Sequence, residues 1–127
     1  MMLLAVGCNF RTAPVEVRER LAFDGPKLAA ALDELSVRYA CEAVILSTCN
    51  RVEVYLGRPD APHGPDAELV AEFLGECHGL APEALRPHLY GHRQEAAVLH
   101  LFRVVASLDS LIVGEAQIAG QAKRASS

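Results

Sequence analysis

The chain has 127 residues, half of them apolar and about a fifth charged, which suits one soluble domain with one core. Its net charge of −4 argues against a general nucleic-acid coat, although a local patch could still hold one specific RNA. No apolar run approaches the roughly 20 residues that span a bilayer, and the first residues lack a basic leader, so a cytoplasmic protein is the expectation.

In chain order, residues 2–10 read as a buried strand. Thr12-Ala13-Pro14 predicts a turn into a short helix, with Thr12 as its N-cap, and Gly25-Pro26 breaks that helix. Leu28, Leu32, Leu35 and Tyr39 recur at helical spacing over residues 27–39. Residues 42–48 and 52–56 read as two strands joined by a tight turn at Cys49-Asn50, where Asn tolerates positive φ. A Pro- and Gly-rich loop over residues 57–66 precedes a helix marked by Leu69, Val70, Phe73, Leu74 and Cys77 and stopped by Gly79. A short helix before Pro87 and a strand at His88-Leu89-Tyr90 follow. Over residues 94–107, Val98, Leu101, Phe102 and Val105 form the predicted core stripe, and His100 lies off it, toward solvent or a cleft. Residues 118–124 read as a further helix. The order adds up to an α+β fold, a ferredoxin-like split βαβ sheet with helices on one face plus extra helices.

Four cysteines, at 8, 41, 49 and 77, compete for a chemical role, and none forms a Cys-x-x-Cys pair. Cys77-His78 is too small a fragment to make a zinc site, so no metal is expected. Cys8 falls inside an apolar strand, Cys77 on a helix core stripe, and Cys41 has no evident partner. Cys49 stands on a turn between Thr48 and Asn50, beside Arg51, and a nearby guanidinium favours the reactive thiolate. Residue chemistry alone makes Cys49 the best of four, with a bland buried thiol still open.

Three segments resemble the signature regions of the glutamyl-tRNA reductase family, in order and at about its spacing. They are residues 7–19, from Gly7-Cys8-Asn9 to Val17-Arg18-Glu19, the run Ser47-Thr48-Cys49-Asn50-Arg51-Val52-Glu53, and the stretch from His100-Leu101-Phe102-Arg103 through Leu108-Asp109-Ser110 and Gly114-Glu115-Ala116-Gln117-Ile118 to Gly120-Gln121. Three departures stand out: Phe10 for a histidine, Ser107 for a glycine, and Ala116 for a proline. The resemblance implies that residues 1–127 are the N-terminal catalytic domain, with the family's NADPH-binding and dimerisation domains absent from this chain. It implies Cys49 as nucleophile and His100 as a residue important for activity. It also implies substrate contacts at Thr48, Asn50, Arg51, Ser110, Glu115, Ala116, Gln117 and Gln121, with Arg51 suited to clamp a carboxylate. The implied reaction forms a glutamyl thioester from glutamyl-tRNA, which NADPH then reduces to glutamate-1-semialdehyde at the start of tetrapyrrole synthesis. Implied partners are glutamyl-tRNA, the downstream aminomutase and a second copy in a homodimer; no membrane is implied. The chain carries no Gly-x-Gly-x-x-Gly fingerprint for NADPH. A tRNA- or regulator-binding fragment without chemistry, and a different cysteine acyl transferase or thioesterase using Cys49 and His100, are the competing readings.

Overall fold

A computed structural model describes residues 1–59 and 64–108. Four strands, β1 (Met2–Asn9), β2 (Glu42–Ser47), β3 (Arg51–Arg58) and β4 (Tyr90–Arg93), form one antiparallel sheet in the order β2-β3-β1-β4. This is the expected split βαβ arrangement: the β2–β3 hairpin returns β3 to the slot beside β1.

Alternation along the two central strands builds the core. Leu4, Val6 and Cys8 of β1 and Val52, Val54 and Leu56 of β3 point to one face. Helices α2 (Gly25–Tyr39) and α3 (Ala67–His78) cover that face with Leu32, Leu35, Val70, Phe73 and Leu74. Asp24 and Asp66 cap these helices, each accepting a backbone N–H at 2.9 Å. Gly25-Pro26 thus begins α2 rather than merely ending the segment before it: proline suits the first helical turn. Gly79, at φ 67°, closes α3 in the left-handed conformation that glycine enters without a Cβ clash.

The short helix α1 (Val15–Leu21) packs at one end of the sheet through fully buried Leu21. Thr12 is not its cap. Its hydroxyl accepts the Asn9 N–H at 3.0 Å while Asn9 Oδ1 accepts from Arg11 and Thr12, so the pair closes the turn that leaves β1. A helical turn, α4 (Pro82–Leu85), runs into a 3-10 turn at Arg86–His88. That turn displaces the strand expected at residues 88–90 to Tyr90–Arg93.

The extra helix α5 (Glu95–Leu108) lies against β1 and β4 on the sheet face opposite α2 and α3. Gln94 fixes the joint. Its amide brackets the start of β1, accepting from Leu3 N–H at 2.7 Å and donating to the Met1 carbonyl at 2.8 Å. The phase of α5 differs from the expected one. Val98, Leu101, Phe102 and Val105 are exposed, while Ala97 and Val104 are buried and His100 turns toward the sheet. The helix tail expected at residues 118–124 lies outside the described residues.

Candidate functional site

The β2–β3 hairpin presents Cys49. The Thr48 N–H donates to the Arg51 carbonyl at 2.8 Å, and the Thr48 hydroxyl accepts from both the Asn50 and Arg51 N–H groups at 3.2 Å. One hydroxyl therefore closes the turn without positive φ at Asn50, because among the described residues only Ala40, Gln94 and Gly79 have it. The closed turn holds Cys49 and Asn50 out into solvent on a stiff two-strand support.

The other three thiols are withdrawn. All four cysteines are free; Cys8 and Cys41 are buried and Cys77 is half-buried. Burial pushes each of these three thiols above its usual range, which keeps them protonated and unreactive.

Two cations flank the hairpin. Arg51 lies on the α5 side of the sheet, in step with Glu53 and Tyr55. On the opposite side a cleft of about 270 Å³ is lined by Arg18, Phe23, Ser47, Thr48 and Cys49. Two nitrogens of Arg18, Nε and Nη1, are buried there without a hydrogen-bond partner among the described residues. A cation short of acceptors is suited to an anionic guest.

Glu53 sits beyond Arg51 on the same strand, and its side chain is fully buried. The Tyr55 hydroxyl donates to its Oε1 at 2.7 Å, and the Tyr90 hydroxyl and His100 Nε2 both meet its Oε2. Arg51 Nη1 lies 3.5 Å from the same Oε2. Burial first, and then the Glu53 charge, holds both tyrosine hydroxyls far above their ordinary range, so both remain donors. His92 stacks on His100 with ring centroids 4.5 Å apart, and Tyr90 packs against His100 at 5.2 Å. Gly7 faces Glu53 across the sheet, and a Cβ there would stand 2.8 Å from Glu53 Cγ. The strand is bare at the point where the carboxylate needs room.

Thr48, Cys49, Asn50 and Arg51 therefore lie together on one hairpin, and His100 joins them through Glu53 and Arg51 rather than through a described contact with Cys49. Ser110, Glu115, Ala116, Gln117 and Gln121 lie outside the described residues. The sequence reading missed Glu53, Tyr55, Tyr90 and Arg18 as parts of the site. The available signal was a lone carboxylate in the alternating Val-Glu-Val-Tyr run, which reads equally well as a solvated strand face. Among the described residues no group of three or more His, Cys, Asp or Glu could hold a metal.

A family model described as the glutamyl-tRNAGlu reductase N-terminal domain matches residues 6–127. The chain is 47% identical over 126 residues to a glutamyl-tRNA reductase of Geobacter metallireducens, covering 98% of this chain and 29% of that protein. It is 51% identical over 127 residues to one of Solibacter usitatus, again covering 29% of the relative. Among solved structures it is similar to glutamyl-tRNA reductase from Methanopyrus kandleri, with a TM-score of 0.58 and 32% identity, over 97% of this chain and 27% of that one. The chain thus spans about three tenths of the length of the curated relatives it matches.

Proposed function

The chain belongs to the glutamyl-tRNA reductase family, as its N-terminal domain, and on that premise we propose that residues 1–127 form the catalytic domain in which Cys49 captures the glutamyl group of glutamyl-tRNA as a thioester. The observation that carries this reading is the exposure of one thiol out of four, on a turn held by Thr48 between two arginines.

The Cys49 thiolate attacks the ester carbonyl, forming a C–S bond and breaking the bond to the ribose oxygen. The proton released by the thiol balances the one gained by the departing ribose hydroxyl. Covalent capture divides one hard acyl transfer into two easier steps and leaves a carbonyl that readily accepts hydride. Arg51 supplies a fork for a substrate carboxylate, and Thr48 and Asn50 shape the turn that meets it. His100 serves proton exchange or ester orientation near the hairpin. Ser110, Glu115, Ala116, Gln117 and Gln121 complete the substrate contacts in this reading.

NADPH would supply the hydride that converts the thioester to glutamate-1-semialdehyde, the entry to tetrapyrrole synthesis. No segment of this chain fits it, for no Gly-x-Gly-x-x-Gly turn is present, and we assign its binding outside these 127 residues. Homodimerisation through a domain outside these residues, and contact with the downstream aminomutase, belong to this reading. A cytoplasmic setting accords with four free thiols. Among the described residues no helix is long and apolar enough to cross a membrane.

The test is acylation. Radiolabelled glutamyl-tRNA is mixed with the protein and quenched in acid, and label is sought on the chain. Label that disappears in Cys49→Ser supports the thioester. Tight tRNA binding without label would instead favour a binding fragment, and label from unrelated acyl donors a different cysteine enzyme.

A further inference from the structure

We propose that Glu53 is a positioning residue for this chemistry, fixing His100 in one tautomer and holding Arg51 in register with it. The inference rests on the thioester reading above and assigns a role to a residue outside the hairpin contacts and the histidine.

A carboxylate only accepts hydrogen bonds. Glu53 Oε2 already receives the Tyr90 hydroxyl, so the ring nitrogen that meets it, His100 Nε2, is assigned the hydrogen. That leaves Nδ1 as the nitrogen free to take or give a proton, with no hydrogen bond to it among the described residues. A buried carboxylate behind an imidazole fixes the ring's orientation and its tautomer. The stacked His92 ring and the Tyr90 ring limit rotation of His100 about the bond that would break this alignment.

The carboxylate itself is held from three directions. Tyr55 fixes Oε1 from its own strand, Tyr90 reaches Oε2 from β4, and Gly7 on β1 leaves the space that a side chain would occupy. Burying a carboxylate this fully is costly without such donors. The tyrosines therefore satisfy the charge, and the arginine and histidine use it. Arg51 stands 3.5 Å from the same oxygen that His100 meets, so moving the carboxylate would move the substrate clamp and the imidazole together.

The experiment uses the full-length protein and the single-turnover rate of Cys49 labelling by glutamyl-tRNA. Glu53→Gln keeps the shape and removes the charge, and should slow labelling about 10- to 100-fold. His100→Asn should slow it comparably. The double variant should be no slower than the worse single, because both act through one unit. Penalties that multiply, or a Glu53→Gln that labels at the normal rate, would overturn the proposal. Nitrogen-15 NMR of His100 in the unaltered protein gives a second readout that needs no variant to fold. A neutral ring protonated at Nε2 is expected, and one protonated at Nδ1 would sink the idea. An unaltered protein that takes no label refutes the thioester reading instead, and the NMR result still decides the placement of His100.

Discussion

Arg18 and Arg51 flank Cys49 from opposite sides of the sheet, and under the proposed function an aminoacyl ester at Cys49 would have two halves to place. Arg51 is joined to the Glu53 side and suits the amino acid. Arg18 lines the other cleft with two nitrogens lacking acceptors among the described residues, which under the proposed function would suit a phosphate near the tRNA 3′ end. Arg18→Ala should therefore weaken glutamyl-tRNA binding by about 1–2 kcal/mol and lower the salt dependence by about one counterion, measured by filter binding across a salt series. An unchanged salt slope would remove Arg18 from the RNA interface. The turn that exposes Cys49 was legible in the sequence because it is local: Thr48, Asn50 and Arg51 make it among themselves. Glu53 was not, since its partners Tyr90 and His100 lie 37 and 47 residues away and only the folded sheet brings them to it.

At the level of elements, α5 separates what hydrophobic periodicity can tell from what it cannot. Its sequence is apolar on more than one side, so several phases satisfy helical spacing. The phase adopted turns Ala97, His100 and Val104 inward, and the Glu53 hydrogen bond is the interaction that distinguishes it from the others. Val104 is 2% exposed and Phe102 is 66% exposed. Val104→Ala should cost about 1–3 kcal/mol in urea unfolding, and Phe102→Ser within about 0.5 kcal/mol of nothing. The reverse ranking would restore the stripe expected from spacing. β1, β2 and β3 were readable from apolar runs of strand length, and α2 and α3 from one buried face each with firm caps at Asp24, Asp66 and Gly79. The β4 boundary was obscured by the 3-10 turn, whose Pro87 fits either an extended or a helical neighbour.

For the whole molecule, one histidine makes stability sensitive to acid. His78, at the end of α3, packs edge-on to Phe23 with centroids 4.6 Å apart, and both its ring nitrogens are buried without a hydrogen-bond partner among the described residues. Burial, assisted by the Lys27 charge, lowers its pKa from 6.5 to about 4. The unfolded chain therefore binds a proton that the folded one refuses, and stability falls as pH drops from about 6.5 toward about 4. The expected loss is on the order of 3 kcal/mol, with no further contribution from this group below both values. His78→Leu should flatten that part of the stability curve in urea melts taken at several pH values. An unchanged slope would place the acid sensitivity in the carboxylates.

The scattered origin of the Glu53 cluster also bears on synthesis at the ribosome. β1, β2 and β3 precede Tyr90 and His100 in the chain, so a sheet built from these three strands alone would hold a carboxylate with only Tyr55 and Arg51 beside it. Until β4 and α5 leave the exit tunnel, water must occupy that face, because a charge stripped of donors would oppose closure. Drying of this face therefore waits on the edge strand, the last described helix and the buried acid together.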